Sequence, residues 1–162
     1  MLDFEVHPHT RRCHATGRPL APGELYFSLL SVEGRQTVRR DYSAEGWKGP
    51  PSDAIGWWKA RLPKQSPGRP TFAPNEVLLN LFDELAENDE EIAFRYVVGL
   101  LLIRRRVLRL EGTKVDDAGR EAMQISIPSR GDRDEFLVVD LTEEEMEQLQ
   151  RRAAELLYAD AA

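Results

Sequence analysis

The chain has 162 residues and one cysteine, so composition excludes an internal disulfide bond and a zinc site made of four cysteines. Hydrophobic residues make up 41% and charged residues 31%, values typical of a globular protein. The net charge of −6 divides unevenly: 11 Lys/Arg against 7 Asp/Glu up to Thr71 give +4, and 11 against 21 after it give −10. These opposite signs predict mutual attraction of the two parts, separate basic and acidic partner faces, or solvated surfaces without a partner.

The first part of the chain predicts a small β-rich module. Its N-terminus carries acids and lacks an apolar leader segment, so we expect a cytoplasmic protein without a secretory signal. A loop rich in Gly and Pro leads into an apolar run at 25–32, a turn at 33–35 and a return strand at 36–41. This order predicts a β-hairpin.

Two adjacent tryptophans and a linker follow the hairpin. Trp57 and Trp58 must point in different directions, so we expect one to be buried and the other to be partly exposed. The segment 64–71, rich in Ser, Gly and Pro, predicts a linker between a domain at 1–63 and a second domain at 72–162.

The second part predicts helix, helix, three strands and helix. The run 93–103 is apolar on nearly every side, which indicates a buried core helix, and it is too short to span a membrane. We expect Asn75 to cap the helix that precedes this core helix, and Thr142 with Glu145 to form a capping box for the last helix. Polar turns separate the strands of an antiparallel meander. The strands are predicted at 107–115, 120–127 and 134–139. The predicted fold class is therefore α+β.

All three histidines lie close to the only cysteine. Imidazole and thiolate are preferred zinc ligands, so a local zinc site, or an enzyme that uses it, is one alternative. The other interpretation is an exposed arm with an incidental cluster and no cofactor, because the adjacent Cys13 and His14 project apart in an extended chain. The four candidate ligands are His7, His9, Cys13 and His14.

Two segments on either side of the hairpin share one spacing. Thr16 follows Cys13 by three residues, and Gly46 follows Ser43 by three residues and is itself followed by Trp47. This layout resembles a zinc ribbon that keeps knuckle, hairpin and knuckle but has lost three of its four ligands. The resemblance implies that zinc does not bind and that aromatic packing replaces it. The aromatic residues concerned are Tyr26, Phe27, Trp47 and either Trp57 or Trp58.

The motif Cys-x2-Thr-Gly-Arg-x-Leu-x-Pro-Gly-Glu begins at Cys13, and Tyr26, Ser28 and the segment 39–42 follow it. In these residues the chain also resembles a family of uncharacterised bacterial proteins. That resemblance implies a shared layout and carries no activity.

Enzyme signatures are missing from the sequence, which contains no Rossmann glycine motif, Walker loop, Gly-x-Ser-x-Gly or His-Glu-x-x-His. We therefore predict a non-enzymatic intracellular interaction or adaptor protein, which meets an unidentified protein partner through basic and aromatic side chains of the N-terminal module. The alternative is a nucleic-acid-associated zinc-ribbon-like factor, although the acidic second part opposes phosphate binding. The candidate partner-binding residues are Arg35, Arg39, Arg40, Trp57, Trp58 and Arg61.

Overall fold

The computed structural model describes residues 12–62 and 71–159, which form two compact units. Unit 1 contains the described residues up to Asn80 together with those from Arg151 onward, and unit 2 contains Leu81–Gln150. The described part holds three α-helices and two three-stranded antiparallel sheets, which confirms the predicted α+β class. Within these ranges, no helix is both long enough and apolar enough to cross a bilayer.

Unit 1 is built on an antiparallel sheet with the strand order β2-β1-β3. The strands are β1 (Leu25–Glu33), β2 (Gln36–Ser43) and β3 (Ala54–Arg61). The predicted hairpin is confirmed, and Gly34, with a φ of 62°, supplies the left-handed backbone that its two-residue turn requires. β3 is not predicted from the sequence, because the two adjacent tryptophans obscure the alternation that predicts a strand.

Side chains of this sheet alternate between a buried face and a partly exposed face. On the buried face, Tyr26, Leu30 and Ala60 are fully inaccessible to solvent. Gly56 lies on the same face, and a Cβ there would meet the side chain of Val77 at 2.8 Å. The sheet therefore packs directly against the first helix.

The helices α1 (Asn75–Leu85) and α3 (Glu143–Leu157) each belong in part to both units, because the unit boundaries fall after Asn80 and before Arg151. The predicted capping box of α3 is confirmed: the Thr142 hydroxyl accepts a hydrogen bond from the Glu145 backbone N–H at 3.1 Å. Two short strands of unit 1, β4 (Thr71–Phe72) and β8 (Tyr158–Ala159), pair antiparallel.

Unit 2 places the helix α2 (Ile92–Arg104) against an antiparallel meander with the order β5-β6-β7. The strands β5 (Arg109–Val115), β6 (Glu121–Ile127) and β7 (Asp132–Leu137) confirm the three predicted strands within two residues at each end. Five residues of α2 are buried, as expected of a core helix, and they are Phe94, Val97, Val98, Gly99 and Leu102. Gly99 lets the helix approach the ring of Phe136, which a Cβ would meet at 2.7 Å.

The predicted linker lies outside the described residues, apart from its last position, Thr71. The compact units have their boundaries inside helices, whereas the predicted domains meet at the linker. Compactness and independent folding are different properties, so the division into domains at 1–63 and 72–162 stays a prediction about folding.

Candidate partner-binding surface

The six candidate partner-binding residues lie in three different places in unit 1. Trp57 and Arg61 project from the partly exposed face of β3, and Arg40 lies on the same face of β2. Arg35 is exposed in the hairpin turn. Arg39 and Trp58 instead lie on the buried face, where their register partners are Leu30 and Ser28.

Arg39 and Trp58 belong to a buried polar cluster and are not accessible to a partner. The Arg39 side chain is 5% exposed, and its guanidinium lies 5.1 Å from the centre of the Trp58 ring. Asp41 accepts a hydrogen bond from Arg39 at 3.2 Å and one from the Ser28 hydroxyl at 2.5 Å. The indole N–H of Trp58 is buried without an acceptor in the described structure. We therefore leave both residues out of the candidate surface, because strand alternation directs them inward.

Four aromatic side chains cluster on the partly exposed face of the sheet, and we call Phe27, Tyr42, Trp47 and Trp57 the aromatic face. Trp47 is its centre, because its ring lies within 6 Å of the three others. It stacks on Phe27 with a centroid distance of 5.2 Å and an interplanar angle of 4°. Trp57 is 42% exposed. The prediction that one of the adjacent tryptophans is buried and the other partly exposed is confirmed.

Local structure explains how each ring reaches this face. Phe27 and Tyr42 are direct cross-strand neighbours in the hairpin. The pairing of β3 with β1 places Trp57 on the same face of the sheet. Trp47 lies in the turn after β2, where its backbone N–H donates to the Ser43 carbonyl at 3.0 Å. This turn folds the indole back over the sheet.

Cationic side chains accompany the rings. Lys59 lies directly opposite Phe27 and is exposed, as is Arg61 two positions further along β3. Lys48 is exposed next to Trp47 in the chain, and neither lysine forms an ion pair within the described structure. Arg40 pairs with Glu33 across the hairpin. The Lys59 amine and the Arg61 guanidinium therefore lie on the same face of the sheet as the rings.

Tyr42 and Lys59 are not among the partner-binding residues predicted from the sequence, and Phe27 and Trp47 are predicted there only to pack. A local signal was available for Tyr42. Once the two-residue turn after Glu33 is assigned, Phe27 must pair with Tyr42. The position of Lys59 opposite Phe27 and the position of Trp47 over the sheet depend on tertiary structure, and no local signal in the sequence specifies them.

The four positions with the spacing of zinc knuckles converge around one sulfur atom. The Ser43 hydroxyl donates to Cys13 Sγ at 3.4 Å, and a Cβ on Gly46 would lie 2.7 Å from the same sulfur. Burial raises the pKa of the Cys13 thiol, but hydrogen bonds from side-chain and backbone groups of Ser43 and Thr16 outweigh it and lower the pKa to about 6. One thiol, two hydroxyls and a glycine do not fit zinc, which takes thiolate, imidazole or carboxylate ligands.

The alternative zinc ligands are described only in part. His7 and His9 lie outside the described residues. Cys13 is buried, whereas the exposed His14 packs edge-on against Tyr42 at 5.8 Å. The two adjacent side chains thus occupy different environments, and the described residues contain no group of three or more potential metal ligands.

Unit 2 also contains a pocket of about 180 Å³. Its charged groups include Arg95 and Arg120, which already bond to Asp134 and Asp116. Charges neutralised in this way stabilise the fold and offer less to a ligand than the amines beside the aromatic face.

Comparison with known proteins adds no family to these observations. A scan against protein-family models found no match, and searches of curated proteins and of solved structures found no significant match either. The functional argument therefore depends on the geometry of this chain alone.

Proposed function

We propose that this is a non-enzymatic intracellular binding protein whose partner contacts the aromatic face of unit 1. The observation that carries the proposal is the exposure of Trp57 within a cluster of four rings. Exposed aromatic surface is costly in water and is enriched at sites of recognition, where rigid rings provide contact area with little loss of conformational entropy. The single cysteine, a free thiol, supports a reducing compartment such as the cytoplasm.

The same geometry favours binding over catalysis. A cysteine nucleophile needs a base within hydrogen-bond distance, and here the buried Cys13 is bonded to Ser43 while the exposed His14 packs on Tyr42. The groups beside the rings are lysine and arginine, whose positive charge attracts a partner without activating a nucleophile.

The test compares the macromolecules that co-purify, after mild crosslinking, with the unsubstituted protein and with two single variants. Trp57→Ala removes the most exposed ring of the aromatic face, and Leu110→Ala is the matched control because Leu110 is 46% exposed on β5. We expect the amount of crosslinked partner that co-purifies to fall at least tenfold for Trp57→Ala and to be unchanged for Leu110→Ala. Equal recovery from all three proteins, with equal thermal stability, would overturn the proposal.

We also propose that the two knuckles descend from a zinc ribbon. The support is the convergence of Thr16, Ser43 and Gly46 on the sulfur of Cys13 across 30 residues of sequence. Replacing all three by cysteine should create a site that retains one equivalent of zinc in elemental analysis, provided that Cys13 rotates to admit the new side chain at Gly46. A folded triple variant without zinc would contradict this descent, and the wild-type protein is the control.

A further inference from the structure

The exposed side of β3 presents one ring and two cations in a line. Trp57, Lys59 and Arg61 alternate with the buried Trp58 and Ala60, so they share one face and succeed one another about every 6.6 Å. β3 is an edge strand, because the sheet order is β2-β1-β3. A long partner can therefore follow this edge without meeting another strand of the sheet.

The rings form a fixed platform that suits flat ligands. Trp47 is held between Phe27, on which it stacks, and Trp57, whose centroid lies 5.6 Å away. Because these contacts hold the rings before any ligand arrives, little conformational entropy is lost on binding. Nucleic-acid bases stack on such platforms without regard to sequence, since every base has a π-face.

The charges beside the platform are complementary to a polyanion. Lys59 on β3 lies opposite Phe27 on β1, and Lys48 follows Trp47 in the chain. The Arg61 guanidinium donates one N–H to the carbonyl of Gly23 at 3.2 Å, and its other N–H groups can donate to a ligand. Phosphate groups would neutralise these cations and release counterions, which adds affinity.

One class of partner uses both the rings and the cations. A proline-rich peptide would pack on the rings but gain little from the amines, and an acidic peptide would do the reverse. A duplex keeps its bases stacked on each other, so it cannot present them to Trp57. A single strand offers unstacked bases and phosphates together.

We infer that the aromatic face binds single-stranded nucleic acid, with bases on Trp57 and Trp47 and phosphates near Lys59, Lys48 and Arg61. This inference rests on the proposed function and specifies its partner. Because base stacking and phosphate neutralisation both tolerate sequence changes, the binding should depend on strandedness and on salt rather than on base sequence.

The test measures fluorescence anisotropy of labelled single-stranded oligonucleotides of about 12 nucleotides, both DNA and RNA, with the full-length protein. We expect binding at low salt that is at least tenfold tighter than binding to the matched duplex. If three phosphates are neutralised, affinity should fall roughly 20-fold between 50 and 200 mM salt.

Four variants separate the two parts of the site. Trp57→Ala should weaken binding roughly five- to hundredfold and leave the salt dependence intact. Lys59→Gln should weaken binding and reduce the salt dependence, because one phosphate contact is lost. The controls Leu110→Ala and Lys114→Gln change exposed residues of β5 and should bind as the wild-type protein does.

A second measurement does not depend on how the variants fold. Ultraviolet crosslinking of a photoreactive oligonucleotide to the wild-type protein, followed by peptide mapping, should place the crosslinks in the segments that contain Trp47 and Trp57. Crosslinks confined to other segments would overturn the inference.

Failure of this inference can be distinguished from failure of the proposed function. If the wild-type protein binds no oligonucleotide at low salt but loses a protein partner when Trp57 is replaced, the proposed function stands and nucleic acid is excluded. If oligonucleotide binding is absent and Trp57→Ala loses no partner, both are wrong. Equal oligonucleotide binding by wild type, Trp57→Ala and Lys59→Gln would also overturn the inference.

Discussion

The two compact units bury different kinds of side chain. All four polar residues that are buried in the described part of the chain, Ser28, Ser31, Asp41 and Ser43, lie in the sheet of unit 1. The buried residues in the described part of unit 2 are apolar, and they include five residues of α2 and the ring of Phe136. Three of the buried polar residues are hydrogen-bonded inside unit 1, because the Ser28 hydroxyl donates to Asp41 and the Ser43 hydroxyl donates to Cys13 Sγ.

Each unit also places one arginine over an aromatic ring, with a different counter-ion. Arg39 of unit 1 lies over Trp58, and its carboxylate partner Asp41 is buried with it. Arg95 of unit 2 lies 4.0 Å from the centre of the Phe82 ring and bonds to the backbone carbonyls of Phe82 and Glu135. Its ionic partner Asp134 is 39% exposed. The carboxylate that pairs with Arg39 is therefore buried and shared with Ser28, whose hydroxyl also accepts from Arg39 at 3.0 Å, whereas the carboxylate that pairs with Arg95 is partly solvated.

The largest expected effect follows from removing Asp41, and removal of Asp134 is the comparison. Asp41→Ala should lower the free energy of unfolding by about 3–5 kcal/mol, because the buried guanidinium of Arg39 and the Ser28 hydroxyl both lose an acceptor. Asp134→Ala should cost less than about 1 kcal/mol, because that pair is partly solvated and Arg95 keeps its carbonyl acceptors. Urea denaturation measures both, and equal costs would contradict the contrast between the units.

One pH dependence of stability should arise in unit 1, where Cys13 lies. Folding lowers the pKa of this thiol from its usual 9.0 to about 6, so the unfolded chain binds more protons between these values. The free energy of unfolding of the native protein, relative to Cys13→Ala, should therefore rise from pH 6 to pH 9, by at most about 4 kcal/mol. The gain should disappear as the pH falls through 6.

Thiolate absorbance measured against pH provides the direct check of this prediction, with Cys13→Ala as the blank. The folded protein should titrate near pH 6 and the urea-unfolded protein close to 9. A folded protein that titrates above pH 8 would show that burial of the sulfur outweighs the hydrogen bonds from Ser43 and Thr16.

A smaller effect tests the apolar packing of unit 2. Gly99→Ala should lower the free energy of unfolding by about 1–2 kcal/mol, because the added methyl group overlaps the ring of Phe136 and this outweighs the gain in helix propensity. Phe136 cannot easily turn away, since it packs edge-on against Phe82 at 5.6 Å. Gly112→Ala on β5, where the nearest atom is Gln124 Oε1 at 3.5 Å, is the control and should change stability by less than about 0.5 kcal/mol. A loss of less than about 0.5 kcal/mol for Gly99→Ala would show that α2 can move away from the sheet β5-β6-β7.

Local signals in the sequence were sufficient for much of the fold. The apolar run of α2, the capping box at Thr142 and the turn at Gly34 each depend on neighbours in the chain, and all three are present in the structure. The turn also determines the pairing of Phe27 with Tyr42 and of Ser28 with Asp41. Half of the aromatic face and the core of the buried polar cluster were therefore encoded in one short segment.

Only the tertiary structure decided the rest. The addition of β3 beside β1 determines that Trp57 faces outward and Trp58 inward, which adjacent tryptophans in a sequence cannot reveal. The fold of the turn after Ser43 brings Trp47 onto Phe27, and it brings Ser43 to a cysteine 30 residues earlier. These contacts join segments that are far apart in the chain, so they depend on the register between strands and on packing, and no local pattern of residues specifies them.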